Sequence, residues 1–190
     1  MADLERFLPD PDESVTEHAV VGADAARTYA AIGRADASGN RLLGPLGGLA
    51  DFVDGVAGSA ATPRTLEELL GPELGFVPLA DEAGQERVVG LVLRYSAFDR
   101  GVERLEPGQF AAFAEPGHLK AVVAFSLHPQ DAGGTLLSCE VRVRATDDDT
   151  RSTLHTTWFA VGAGLRLLVR RLLALIKADA ERGAGSGSQA

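Results

Sequence analysis

The stretch from Gly134 to Ala184, GTLLSCEVRVRATDDDTRSTLHTTWFAVGAGLRLLVRRLLALIKADAERGA, changes its hydrophobic period within a few residues. In its first part, every second residue is apolar or small, namely Leu137, Cys139, Val141, Val143 and Ala145. The residues between them are polar or charged, namely Ser138, Glu140, Arg142 and Arg144. Because alternate side chains of a strand point to opposite faces, this pattern predicts a β-strand that is buried on one face and wet on the other.

From Thr150 onwards the period is that of a helix. Apolar residues recur at spacings of three and four, at Leu154, Trp158, Val161, Leu165, Leu168, Leu172 and Ile176. Such a stripe is typical of an amphipathic helix. Three aspartates, 147–149, stand where negative charge favours the helix dipole, and a glycine at 183 follows the last apolar turn. We therefore expect one helix from Thr150 to about Arg182, bent or broken at the Gly162–Gly164 step.

Upstream of this stretch, a strand and short helices precede further strands. SVTEHAVVGAD (14–24) favours a first strand, and Asp24 can cap a short helix through residues 25–35. Residues 42–60, LLGPLGGLADFVDGVAGSA, predict a second helix that its glycines make short or broken. Thr65 can cap a further helical turn.

The middle of the chain has the turn chemistry of an antiparallel meander. GFVPLADEAGQERVVGLVLRYSAF (75–98) predicts two strands joined by a turn around residues 81–85. GQFAAFAEPGHLKAVVAFSLHPQDAGGTLLSCEVRVRATD (108–147) predicts three more, separated by turns at 115–117 and 131–134.

An apolar sheet face has to be covered, and the C-terminal helix is the only predicted element that is long and apolar enough to cover it. The sequence therefore predicts an α+β fold of the helix-grip type, with a curved antiparallel sheet wrapped around a long C-terminal helix and two short helices after the first strand. Residues 13–182 are predicted to form this single domain. Residues 1–12 are expected to be a disordered N-terminal tail, and residues 183–190 a flexible C-terminal tail.

The order of elements resembles the helix-grip fold of the SRPBCC superfamily, which includes START, Bet v 1 and polyketide cyclase proteins. The segments that carry the resemblance are GFVPLADE, ERVVGLVLRY, FAAFAEPGHLKAVVAFSLHP and the ending from Leu136 to Glu181, which looks like that of actinobacterial-type members. The resemblance covers nearly all of residues 13–182. It implies a deep, mostly apolar cavity between the sheet and the long helix, which binds lipids, hormones, polyketides or other flat hydrophobic molecules. Some members are enzymes, and the fold by itself does not imply a function.

Composition narrows the class of protein. The 190 residues carry a net charge of −9, which repels phosphate backbones, so nucleic acid is not an expected partner. No stretch approaches the roughly 20 apolar residues that cross a bilayer, so a soluble chain without membrane insertion is expected. The single cysteine excludes an internal disulfide framework. The opening MADLERFLPDPDES lacks the basic start and apolar run of a signal peptide, which favours a cytoplasmic location.

The sequence contains few residues in a pattern suited to catalysis or to binding a metal ion or cofactor. The four histidines show no spacing suited to zinc, and the glycine-rich segments lack the context of a phosphate loop, so neither a metal nor a cofactor is predicted. Cys139 has the character of a small core residue, because nothing near it would activate a thiol. Tyr95 could bond a ligand or be satisfied by backbone, and His155 could face the cavity mouth or be a partly exposed histidine near the helix start. These last two are weak candidates for proton transfer.

The inward-facing apolar residues predict a ligand site. They are Phe76, Leu91, Leu93, Tyr95, Phe110, Phe113, Val123, Phe125, Cys139, Val141, Trp158 and Phe159. The leading hypothesis is that the chain binds a hydrophobic small molecule, lipid or polyketide-like, between sheet and helix. One alternative is a polyketide cyclase, aromatase or dehydratase that uses Tyr95 or His155. Another is a partner-binding module with a filled core that docks through residues 42–56. Catalysis and the oligomeric state stay open at this stage.

Overall fold

The computed structural model describes residues 4–36, 64–95, 100–131 and 133–182. In these ranges six strands and three α-helices follow one another as β1 (Glu13–Val21), α1 (Ala25–Arg34), α2 (Leu66–Leu69), β2 (Val77–Glu82), β3 (Glu86–Tyr95), β4 (Arg100–Glu103), β5 (His118–Pro129), β6 (Thr135–Ala145) and α3 (Asp148–Arg182). Short 3-10 helices lie at Leu4–Arg6, Pro72–Leu74 and Pro107–Gln109.

The strands form one antiparallel sheet in the order β1-β6-β5-β3-β2, with β4 also paired to β3. The first strand therefore lies beside the last, and Val15 is aligned with Val141. The chain leaves β6 and enters α3 within three residues, so the helix lies against the sheet that precedes it. The prediction of an α+β helix-grip fold is confirmed.

One face of the sheet, which we call the inner face, carries the main hydrophobic core. Odd-numbered residues of β3, β5 and β6 point to it, and they pack with α1 and α3 in a single cluster. Ile32 of α1 and Ile176 of α3 are fully buried in this cluster. The alternation that the sequence showed in β6 is confirmed, since its odd residues are buried and its even ones are half-buried.

The opposite, outer face carries a second apolar cluster. Its buried members are Leu4, Leu8, Val77, Val88, Val92, Phe110, Val122 and Ala124. The expectation of a single apolar face is therefore incomplete. The reason is visible in β3 and β5, where consecutive valines, at 88–89 and at 122–123, supply an apolar side chain to each face.

The N-terminal segment, residues 4–12, covers part of the outer face, so the prediction that residues 1–12 form a disordered tail is wrong for these residues. Leu4 and Leu8 are buried in the outer cluster. Arg142 of β6 bonds Glu5 at 2.6 Å, and Asp12 accepts from the backbone N–H of Ala145 at 2.7 Å. Two buried leucines and these polar contacts offset the cost of ordering the segment.

Of the local predictions, the two helix caps are confirmed, whereas one strand and one helix break are wrong. Asp24 and Thr65 do cap α1 and α2, each accepting from a backbone N–H three residues on. The GQFAAFA stretch (108–114), predicted as a strand, instead begins within the 3-10 helix Pro107–Gln109 and places Phe110 and Phe113 in the outer cluster. The predicted break at Gly162–Gly164 is absent, because α3 runs unbroken from Asp148 to Arg182.

Two further expectations lie outside the described residues, namely the helix over residues 42–60 and the tail over residues 183–190. In the part of the chain that the structure describes, no helix has both the length and the apolar character needed to span a membrane.

Candidate functional site

Nine of the twelve predicted site residues come together at the inner face. They are Phe76, Leu91, Leu93, Tyr95, Val123, Phe125, Cys139, Val141 and Trp158, all within or against the main core cluster. Strand parity explains this grouping, because the seven that lie in strands all occupy odd positions of β3, β5 and β6.

Phe110 and Phe113 do not belong with them, which corrects the prediction. Both lie in the outer cluster, on the other side of the sheet. Phe110 packs over Gly90, where a Cβ atom would lie only 2.7 Å from its ring. The buried Lys120 donates hydrogen bonds to the backbone carbonyls of Ala111 and Phe113, at 3.0 and 3.1 Å, and so holds this loop on the outer face.

Phe159 is also misplaced in the prediction, because 93% of its surface is exposed. It follows Trp158 by one residue in α3, and consecutive helical residues are turned by about 100° from each other. Only one of the two rings can therefore face the sheet. Trp158 does so, and its ring lies along the helix over Gly162, where a Cβ atom would come within 2.9 Å of the ring.

The nine remaining residues differ in depth. Phe125 and Cys139 have no exposed surface, so they are core residues that a ligand does not reach in this structure. Burial raises the pKa of the Cys139 thiol, with the nearby Glu140 carboxylate adding to the effect. A fully buried thiol with a raised pKa is not activated as a nucleophile, in agreement with the interpretation of Cys139 as a core residue.

A half-buried apolar surface remains between the sheet and the first half of α3, and we call it the apolar wall. Its members are Phe76, Tyr95, Ala121 and Val123 on the sheet side and Trp158, Leu165 and Leu168 on the helix. Each of these residues packs against the core yet keeps part of its surface exposed. The helix stripe in the sequence contained Leu165 and Leu168, but periodicity alone did not distinguish a wall residue from a sealed one.

One polar pair lies at the edge of this wall. The Tyr95 hydroxyl is 2.9 Å from the Thr157 hydroxyl, and so joins the end of β3 to α3. Thr157 is also 2.9 Å from the carbonyl oxygen of Thr153 and 3.1 Å from that of Leu154. Tyr95 is thus bonded by a side chain, whereas the sequence suggested either a ligand or backbone.

Ionic contacts hold α3 along the edge strand β1. His155 Nδ1 lies 2.8 Å from a carboxylate oxygen of Glu13, and its side chain is half exposed. It fits the interpretation of a partly exposed histidine near the helix start. Further along, Glu17 bonds Arg166 at 3.4 Å and Arg170 at 3.0 Å.

The start of α3 is fixed by Asp147. Its carboxylate accepts from the backbone N–H of Thr150 at 2.9 Å and from that of Gly117 at 2.6 Å. These bonds, with one from the Thr150 hydroxyl, lower the pKa of Asp147 to about 2. One carboxylate therefore caps the helix and ties it to the turn before β5.

Within the described ranges, no group of three histidine, cysteine, aspartate or glutamate side chains is arranged to hold a metal ion. What the described residues do offer is an apolar surface bordered by two hydroxyl groups. Such an arrangement is suited to holding an apolar molecule and orienting it by one or two hydrogen bonds.

The chain is similar to several solved structures. No family model matches the chain, and no curated protein sequence matches it. Among solved structures, the chain is similar to the Zhui aromatase/cyclase from Streptomyces sp. R1128, with 14% identity over 92% of this chain and 98% of the other and a TM-score of 0.33.

Two further similar structures are protein MLL2253 from Mesorhizobium loti and Ara h 8.0201. The first is 13% identical over 87% of this chain and 98% of the other, with a TM-score of 0.38. The second is 9% identical over 90% and 98%, with a TM-score of 0.28. An aromatase/cyclase is one of the protein types that the sequence resemblance named. At such identities and scores, these likenesses assign neither a ligand nor a reaction to this chain.

Proposed function

We propose that this protein binds a hydrophobic small molecule against the apolar wall, between the inner face of the sheet and the first half of α3. The observation that carries the proposal is the partial exposure of Trp158, Leu165 and Leu168 on the helix side that faces the sheet. One turn further on, Leu172 and Leu173 on that side are buried. A ligand that covered the wall would gain about 25 cal/mol for each Å² of apolar surface removed from water.

Binding takes precedence over catalysis in this proposal. A cyclase or dehydratase needs proton donors or acceptors that reach the reacting atoms. Apart from the ion pairs at the β1 edge, the described residues place one polar side-chain pair at the wall, Tyr95 and Thr157. His155, the other candidate, has its Nδ1 atom paired with the Glu13 carboxylate, and half of its side chain is exposed.

The proposal is tested by introducing one charge at two matched positions. Leu165 and Leu167 are both leucines of α3, but Leu165 packs against the core cluster and Leu167 is 40% exposed. We expect Leu165→Arg to weaken uptake of the neutral dye Nile red at least about tenfold, because the dye could cover the wall only by removing water from the guanidinium. Leu167→Arg is expected to leave uptake unchanged.

Native mass spectrometry of the purified chain, followed by organic extraction, gives an independent measurement. A mass above that of the bare chain, with an apolar molecule in the extract, would support the proposal and identify the ligand class. Equal dye affinity in the two arginine variants, with both folded by circular dichroism, would refute the proposed site.

A further inference from the structure

We propose that Tyr95 accepts a hydrogen bond from the ligand, and hence that the ligand is a neutral apolar molecule carrying a hydroxyl group, an alcohol or a phenol. This inference rests on the proposed function, because it concerns the same apolar wall. It goes further in naming the polar group of the ligand and the residue that selects it.

In the contact between the Tyr95 and Thr157 hydroxyl groups, one group donates its hydrogen atom and the other accepts it. A threonine hydroxyl has a single hydrogen, and the carbonyl oxygens of Thr153 and Leu154 lie 2.9 and 3.1 Å from Thr157 Oγ1. Carbonyl oxygens can only accept, so the Thr157 hydrogen is directed to one of them. Thr157 therefore acts as the acceptor toward Tyr95, and Tyr95 donates its hydrogen across the 2.9 Å contact.

The Tyr95 hydroxyl oxygen can still accept one further hydrogen bond. Its hydrogen is committed to Thr157, so its oxygen can only accept from a further partner. Among the described residues, no other side chain or backbone group forms a hydrogen bond with this oxygen. Tyr95 is half-buried beside the apolar wall, so a ligand there meets an acceptor and no donor at this hydroxyl.

This acceptor selects among the polar groups of a ligand. A carboxylate has only acceptors and cannot pair with the Tyr95 oxygen, and the chain's net charge of −9 opposes a further negative charge. An ammonium group could donate, but it would have to lose water against Trp158 and Leu165. A neutral hydroxyl donates without either cost, and this points to an alcohol or a phenol.

Two isomeric probes isolate this hydrogen bond. 1-Decanol and nonyl methyl ether have the same formula and nearly the same length, but only the alcohol can donate. Trp158 is the single tryptophan of the chain and lies at the wall, so its fluorescence reports binding of either probe. We expect the full-length protein to bind 1-decanol about three- to tenfold more tightly than the ether, the ratio that one net hydrogen bond produces.

Three variants sharpen the test. Tyr95→Phe keeps the ring and should abolish the preference for the alcohol, so that the ratio of the two affinities falls to about one. Thr157→Val frees the Tyr95 hydrogen for donation to the ligand, so the ether should gain affinity and the preference should shrink. Tyr29→Phe is the matched control, because Tyr29 is the other tyrosine, lies on α1 beside Arg87 and should not affect either probe.

The outcomes separate this inference from the proposed function. Equal binding of both probes by the unaltered protein, or an alcohol preference that survives in Tyr95→Phe, overturns the role of Tyr95 and leaves the proposed function standing. Binding of neither probe overturns the proposed function, and the inference falls with it.

Discussion

The two halves of α3 differ in how closely their apolar side chains pack against the rest of the molecule. The C-terminal half is packed, with Val169, Leu172, Leu173, Ile176 and Ala180 all buried against the sheet and α1. The N-terminal half has one apolar side chain buried in the core, Leu154, and is also attached by polar contacts, those of Asp147, Arg151 and His155 among them. Trp158, Leu165 and Leu168 pack against the core and keep part of their surface exposed.

Under the proposed function, this difference lets one helix serve stability and binding together. Hydrophobic packing requires close contact, and close contact leaves no room for a ligand. Caps and ion pairs at the edge of the sheet can fix the position of a helix without such close packing. The N-terminal half keeps an apolar surface that is partly exposed, and the proposed ligand would cover it.

The largest expected effect is the loss of stability when a buried leucine in the C-terminal half of α3 is shortened. We expect Leu173→Ala to lower the free energy of unfolding by about 2–5 kcal/mol, because Leu173 is buried and the substitution leaves a cavity. Leu165→Ala, eight residues earlier on the apolar wall, should cost less than about 1 kcal/mol, since its side chain is already partly exposed. Urea unfolding of both variants measures the two values. Equal losses would mean that the two halves are packed alike.

A smaller effect concerns the polar attachment of the N-terminal half. Asp147→Ala should lower the free energy of unfolding by about 1–2 kcal/mol at neutral pH, because the substitution removes a helix cap. The pKa of this carboxyl is lowered from 3.8 to about 2 by its bonds to Gly117 and Thr150. Its contribution is therefore complete above the ordinary value and is lost as the pH falls through about 2.

Urea unfolding of the unaltered protein and of Asp147→Ala at a series of pH values measures this contribution. The difference between the two should shrink as the pH falls from about 4 toward about 2. Asp149→Ala is the control, since Asp149 is exposed in the same helical turn. A difference that stays constant down to pH 2 would contradict the role assigned to the Asp147 carboxylate.

The smallest expected effect distinguishes two glycines within the N-terminal half. A Cβ atom at Gly164 would meet nothing within 4 Å, so Gly164→Ala should stabilise the helix by about 0.5–1 kcal/mol. A Cβ atom at Gly162 would lie 2.9 Å from the Trp158 ring and would displace it from its place along the helix. Gly162→Ala should therefore gain less stability and shift the Trp158 fluorescence, whereas Gly164→Ala should leave the emission unchanged. Identical spectra would show that Trp158 does not lie over Gly162.

The sequence was most informative where structure depends on neighbouring residues. The alternation in β6, the helix beyond it and the caps at Asp24 and Thr65 are all local patterns, and all are confirmed. Five of the six strands followed from hydrophobic runs between predictable turns, whereas β4 was not predicted and the GQFAAFA stretch, predicted as a strand, does not form one. The odd positions of the strands then placed seven of the predicted site residues on one face.

The errors lie where distant segments meet. Phe110 and Phe113 are aromatic residues of a connection, and nothing near them in sequence shows that Gly90 leaves space for a ring on the outer face. The N-terminal segment looked too polar to be ordered, yet the outer cluster receives its two leucines. Trp158 and Phe159 were assigned together, although a helix turns successive side chains apart.

The sequence by itself therefore determined five of the six strands, the long C-terminal helix, the caps and the inner parity of the strands, because hydrophobic period, caps and turns act over a few residues. Only the tertiary structure decided that residues 100–103 pair as β4, which face the Phe110 loop and the N-terminal segment cover, and which residues of the α3 stripe keep part of their surface exposed. Burial depends on what the rest of the chain brings to a surface. The same leucine stripe is sealed at Leu172 and partly exposed at Leu165 because different partners face it.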